Sequence, residues 1–271
     1  MRTLLVSWLL MVCIANAMAA TPATVVLDEL TWTELRDRIR TGSTTIIVPI
    51  GGTEQNGPHM VLGKHNVRVK AIAEKIAVAL GNTLVAPVIS YTPEGQIDPP
   101  AAHMRFSGTI SVTEETFRKT LESAARSFRQ HGMRDIVFIG DHGGYQKDMK
   151  AVADRLNREW SEGRKRAPTD AHARVHAIEE YYLAAGSGFA QLLKDKGYRD
   201  DEIGTHAGLA DTSLALAVEP GLVRTGRLAL PAGTADGVHG DPRRASAELG
   251  RLGIDLIVNR TVDAIRKATR R

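Results

Sequence analysis

Three short segments of this chain crowd imidazole, carboxylate and amide side chains beside glycine. The first reads Gly51-Gly52-Thr53-Glu54-Gln55-Asn56-Gly57-Pro58-His59 and reaches Lys64-His65-Asn66 a few residues on. The second reads Gly140-Asp141-His142-Gly143-Gly144-Tyr145-Gln146, and the third Gly204-Thr205-His206-Ala207-Gly208-Leu209-Ala210-Asp211-Thr212-Ser213. Nitrogen and oxygen donors of these types hold divalent ions that activate water, and imidazole moves protons near neutral pH. Glu54, His65, His142 and His206 are therefore expected to converge on one metal-assisted hydrolytic site. Each also has an ordinary structural alternative: Glu54 as a cap on backbone amides, the histidines as hydrogen-bond partners that lock their loops.

The elements around these segments decide whether they can meet. Residues 45–50, 83–88 and 135–139 are short β-branched or apolar runs ending in Gly, Pro or polar residues, the pattern of buried strands. Residues 31–40, 67–80, 113–131, 146–162 and 245–267 carry apolar positions at spacings of three and four, the pattern of helices with one buried face. Alternation of this kind predicts an α/β fold with a mostly parallel sheet covered by helices on both faces. Sites in such folds form beyond the carboxyl ends of the strands, which points to the loops after Ile50 and Ile139. Residues 164–173 read as an exposed connection, and 226–241, rich in glycine and proline, as a surface wrap.

Arg2, the apolar run over residues 4–14 and the small residues at 15–20 read as a secretory signal with cleavage after Ala19 or Ala20, too short to span a bilayer. The expectation is a signal over residues 1–20, a single domain over 21–271, no lasting membrane anchor, and a periplasmic or secreted protein. The one cysteine, Cys13, lies in that segment, so the mature chain has no disulfide, thiolate metal site or cysteine nucleophile. The net charge of +4 comes from basic residues interspersed with acidic ones, which excludes a nucleic-acid footprint.

Taken in order, the segments resemble the creatininase family of metal-dependent amidohydrolases. The first is similar to that family's Glu-Gln-His-Gly-Pro-His signature, the second to its Asn-Gly-His-Gly-Gly-Asn, and the third to its His-Ala-Gly-x-x-Glu-Thr-Ser. His103, Phe106, Gly108 and Thr109 resemble its His-x-x-Phe-Pro-Gly-Thr stretch, and Gly237-Val238-His239-Gly240-Asp241-Pro242 its Gly-x-x-Gly-Asp-Pro segment. The resemblance runs from about residue 30 to 265. It implies a three-layer α/β/α fold, commonly oligomeric, here expected as a homo-oligomer. It also implies a divalent ion, zinc first with manganese or iron as alternatives, that activates water against a C–N bond of a small, possibly cyclic, amide.

Carried over position by position, the resemblance makes Glu54 and His142 metal ligands and His206 the proton-transfer residue, with Glu54 sharing the catalytic role. Asn56 stands where the family has a histidine ligand, His65 where it has a bridging aspartate, and Asp211 where it has a glutamate one methylene longer. An amide is a poor ligand and a neutral imidazole rarely bridges two cations, so one ion is expected rather than two. The expected set is Glu54, His65 and His142 with Asp211 as a fourth ligand or an orienting partner, and Asn56, His103 and Tyr145 are expected to face substrate. Two alternatives keep the same pocket: a binding protein without turnover, and a metal-dependent lactone hydrolase.

Overall fold

A computed structural model describes residues 23–166, 173–228 and 233–270. The expected signal segment and His172 lie outside them. In chain order the helices and strands begin with α1 (Trp32–Arg40), β1 (Thr45–Ile50), α2 (Lys64–Leu80), β2 (Thr83–Val85) and α3 (Glu114–Gln130). They continue with β3 (Asp135–Gly140), α4 (Gln146–Arg166), β4 (Arg174–Ala177), α5 (Glu180–Leu183), α6 (Phe189–Asp195), α7 (Asp200–Ile203), α8 (Leu209–Val218) and α9 (Ala247–Thr269).

The four strands form one parallel sheet in the order β2-β1-β3-β4. Thr45 pairs with Asp135 and Ile50 with Gly140, so β1 and β3 run in full register and end together. All six residues of β1 are buried, as expected for a central parallel strand with helices on both faces. Successive side chains of a strand alternate between faces, and the core divides accordingly. Ile46, Val48, Ile50, Ile136 and Phe138 pack with Phe117 and Leu121 of α3 and Met149 and Leu156 of α4. Ile47, Val137 and Ile139 pack with Val69 and Ile72 of α2, Leu214 of α8 and Ile257 of α9. The result is the expected three-layer α/β/α architecture.

Two boundaries moved for local reasons. The second strand stops at Val85, short of the predicted residue 88, because Pro87 has no amide hydrogen to donate to a ladder. Helix α4 continues to Arg166, into the segment read as a connection. Strand β4 and helix α8 were not among the elements expected from sequence. Helices α8 and α9 cross closely at Gly250, where an added Cβ would lie 1.9 Å from the Ser213 carbonyl oxygen.

Candidate active site

The parallel register of β1 and β3 brings the two following loops side by side. Tyr145 fastens them: its buried hydroxyl accepts hydrogen bonds from the backbone N–H groups of Asp141 and His142, at 3.1 and 3.0 Å. The same hydroxyl lies 2.9 Å from the Ile50 carbonyl and 2.6 Å from that of Gly51, so its own proton goes back to the first loop. This corrects the expectation that Tyr145 faces substrate. Asn56 also turns inward, donating to the carbonyls of Glu54 at 2.8 Å and Val61 at 3.1 Å. Its amide donors are spent on the loop, for the reason that makes short polar side chains good loop locks.

Glu54 is completely buried at the centre. His65 Nε2 lies 2.7 Å from its Oε1. Its Oε2 has no hydrogen-bond partner, although His103 Nε2 stands 3.2 Å away and His142 Nε2 3.6 Å away. Donor atoms of Glu54, His103 and His142 all lie within 4.8 Å of one another. Two donors each about 2.1 Å from one ion, at tetrahedral angles, stand about 3.4 Å apart. The observed spacings bracket that value, and a cation there would satisfy the carboxylate oxygen that has no donor. Glu54, His103 and His142 therefore fit a divalent metal ion.

The other two expected ligands are engaged elsewhere. His65 is clamped at both nitrogens, its Nδ1 lying 2.6 Å from Asp141 Oδ2. Burial and the nearby Lys64 charge oppose protonation, yet the hydrogen bonds to Asp141 and Glu54 hold its pKa above the ordinary histidine value. Asp211 accepts from the fully buried Lys64 ammonium, from Arg68 Nη1 at 2.6 Å and from the Ala207 N–H at 3.0 Å. Burial opposes its ionisation, but Lys64 and Arg68 keep its carboxyl well below the usual range. Neither residue presents a free ligand atom to the group around Glu54. The structure puts His103 there, which sequence reasoning had placed against substrate.

Arg68 also donates from Nε to Asp141 Oδ2 at 2.8 Å, and Tyr181 donates to Asp141 Oδ1 at 2.9 Å. A continuous buried chain thus runs Lys64, Asp211, Arg68, Asp141, His65, Glu54. Burial opposes the charge on Glu54, but the His65 hydrogen bond and the charges of His65, His142 and Lys64 depress its pKa strongly. Such alternation is how charges survive without solvent. Of this chain, sequence reading found Glu54, His65 and Asp211. Asp141 was visible beside His142, whereas Lys64 and Arg68 read only as the polar start of a helix.

Gln55 orders the remaining imidazoles. Its Oε1 accepts from the Gly57 N–H at 2.9 Å, which fixes the amide and turns Nε2 toward His103 Nδ1 at 3.0 Å and His206 Nε2 at 3.1 Å. His206 Nε2 is also 3.0 Å from the Gln55 carbonyl, and its Nδ1 is 3.8 Å from Glu54 Oε1. Burial, helped by the Lys64 charge, lowers the His206 pKa to about 4. Burial likewise lowers His142 to about 4, reinforced by His65, His103 and Lys64 against the pull of Glu54. Both rings are neutral at pH 7.

A second carboxylate, Glu94, escaped the sequence reading because it lies in a Pro-Glu-Gly stretch with no histidine. It is buried, and its Oε2 lacks a hydrogen-bond partner while standing 3.4 Å from His142 Nδ1. Burial, together with the Glu54 charge, raises its pKa to about 8.

This constellation has counterparts among known proteins. The chain is 27% identical to a creatinine amidohydrolase of Pseudomonas putida, over 90% of its own length and 96% of that protein's. It is 28% identical to the mycofactocin precursor peptide peptidase of Mycobacterium tuberculosis, over 84% of its own length and 86% of that protein's. It is 30% identical to the 3-dehydro-scyllo-inosose hydrolase of Thermotoga maritima, over 73% of its own length and 58% of that protein's. Among solved structures, a zinc–zinc form of a creatininase mutant superposes with a TM-score of 0.72 at 26% identity, covering 91% of this chain and 99% of that one. A manganese creatininase superposes at 0.69, also at 26% identity, covering 90% and 98%. The sequence profile of the creatininase family, described as creatinine amidohydrolase, matches residues 28–265. The chain belongs to the creatininase family.

Proposed function

We propose that this protein is a hydrolase that breaks a C–N bond of a small amide at a divalent cation held by Glu54, His103 and His142. The observation that carries the reading is the buried, unpartnered Oε2 of Glu54 with two imidazole nitrogens around it. When bound, the cation supplies a water nucleophile of lowered pKa and polarises the carbonyl under attack. The protein's own groups do the rest. His65 fixes Glu54 through Oε1 and leaves Oε2 facing the site. His206 Nε2 is engaged by Gln55, 3.0 Å from its carbonyl and 3.1 Å from its amide nitrogen, and the ring turns Nδ1 toward Glu54 Oε1 at 3.8 Å, where imidazole is placed to move a proton.

Because the bridging acid of the family is replaced by a doubly engaged His65, we favour one ion over two. Zinc and manganese occur in the related creatininases, and both suit imidazole with carboxylate. The N-terminal segment supports export of the mature protein, which cell fractionation with mass measurement of its N terminus tests.

The function is tested by a panel of creatinine, other cyclic amides, short peptides and lactones, with zinc or manganese and with EDTA. Metal-dependent release of an amine or ring opening of an amide supports the reading. Turnover confined to lactones moves the activity to esters, and binding without turnover moves it to a non-catalytic module of the same fold.

A further inference from the structure

Tyr145 and Tyr181 spend their hydroxyls inside the protein. Both are completely buried; the first ties the two loops together, and the second donates to Asp141 Oδ1 at 2.9 Å. Tyr182, the next residue of α5, is half-buried, and its hydroxyl makes no hydrogen bond to any described residue. Tyrosine hydroxyls withdrawn from solvent usually find a partner. This one is brought up to the loop after β3 without one.

The approach is built into that loop. Gly143 follows His142 directly, and a Cβ at Gly143 would lie 2.5 Å from Tyr182 Oη and 3.0 Å from its Cζ. The Gly143 backbone is not in the left-handed region, so its conformation does not demand a glycine. What the missing side chain supplies is room for the phenol against the backbone.

The same hydroxyl lies in the field of the site's carboxylates. Burial raises the Tyr182 pKa above its ordinary value, and the charges of Asp211, Asp141 and Glu54 add to the shift against the opposing effect of Arg68. The phenol therefore keeps its proton at neutral pH and is a donor. Asp141 and Asp211 already accept from other groups, so neither serves as its acceptor.

We propose that Tyr182 is a catalytic residue whose hydroxyl donates a hydrogen bond to the carbonyl oxygen of the substrate. The inference rests on the reading of the site as a hydrolytic metal centre. As water attacks, negative charge gathers on that oxygen, and a donor fixed beforehand stabilises it more than it stabilises the starting carbonyl. The phenol keeps its proton throughout, since it forms a hydrogen bond alone.

The test is binding of acetohydroxamate, an anionic oxygen ligand of zinc, to the zinc-reconstituted parent, Tyr182→Phe, Gly143→Ala and the double variant. Zinc content and thermal midpoint are measured on each. Tyr182→Phe is expected to keep the parent's zinc and midpoint, because the hydroxyl bonds nothing in the protein. It is expected to bind acetohydroxamate at least ~10-fold more weakly, the loss of a hydrogen bond to a charged oxygen. Gly143→Ala is expected to lose the same factor, and the double variant no more than either, because both changes remove one contact. Parent-like binding by Tyr182→Phe overturns the role of Tyr182 and leaves the metal centre standing. Zinc loss in Tyr182→Phe, which would make the hydroxyl structural, overturns it as well, as do losses that add in the double variant. A parent that holds zinc without binding acetohydroxamate also overturns it. A parent that takes up no zinc overturns the metal centre and the proposal with it.

Discussion

His65 ties Glu54 to Asp141: its Nε2 lies 2.7 Å from Glu54 Oε1 and its Nδ1 2.6 Å from Asp141 Oδ2, all within the buried interior. The bond decides which oxygen of Glu54 is free. It also makes one ring a shared partner of both carboxylates, Asp141 keeping Arg68 and Tyr181 besides. His65→Ala strips a partner from each, and breaking a buried ion pair costs about 3–5 kcal/mol. Urea unfolding of the metal-free protein is expected to show a loss in that range, whereas a loss under about 1 kcal/mol would mean that solvent reaches the pair.

Asp211 separates charge neutralisation from metal binding. Its carboxylate is saturated by Lys64, Arg68 and the Ala207 N–H. Asp211→Asn is therefore expected to lower stability, by leaving the buried Lys64 and Arg68 with less than their countercharge, while keeping the parent's metal content. Elemental analysis of the variant checks this. Loss of metal with unchanged stability would instead make Asp211 a ligand.

Tyr145 predicts a coupling between loops. Tyr145→Phe keeps the ring against Phe117 but deprives the Asp141 and His142 N–H groups of their acceptor. Unsatisfied buried donors cost roughly 1–3 kcal/mol each at most, because water can enter and loops relax. A fall in thermal midpoint is expected, with faster amide exchange at residues 141 and 142. Parent-like exchange at these amides would show that the hydroxyl does not hold the loops.

The pH dependence follows from His206. Burial lowers its pKa in the fold from the ordinary value of 6.5 to about 4, so the unfolded chain binds the proton more readily across that interval. Stability from the neutral ring is present above pH 6.5 and declines as pH falls toward 4. The advantage of the metal-free parent over His206→Gln is expected to shrink between pH 7 and pH 4.5. Urea midpoints measured at both values test this, and an advantage that grows on acidification would contradict it.

Much of the architecture was legible because strands buried on both faces leave unbroken apolar runs, as at residues 45–50 and 135–139, while covering helices keep a spacing of three and four. Strand β4 was not, since Arg174–Ala177 is an edge of four residues with only Val175 fully buried in it. In the site, Glu54, His142 and His206 were legible as polar residues at strand ends or among glycines. The partnering was not: that His65 would be spent on Asp141 depends on a contact across 76 positions, and Glu94 reaches His142 across 48. No local pattern encodes such meetings, which arise from the parallel register of β1 with β3 and the path of the 86–113 connection.

The most direct measurement is the metal content of purified protein after reconstitution with zinc or manganese, in the parent, Glu54→Gln and His142→Ala. About one equivalent in the parent, lost in both variants, is the predicted result. No specifically bound metal in the parent, or an equivalent retained by Glu54→Gln, would contradict the account of this cluster as the hydrolytic centre.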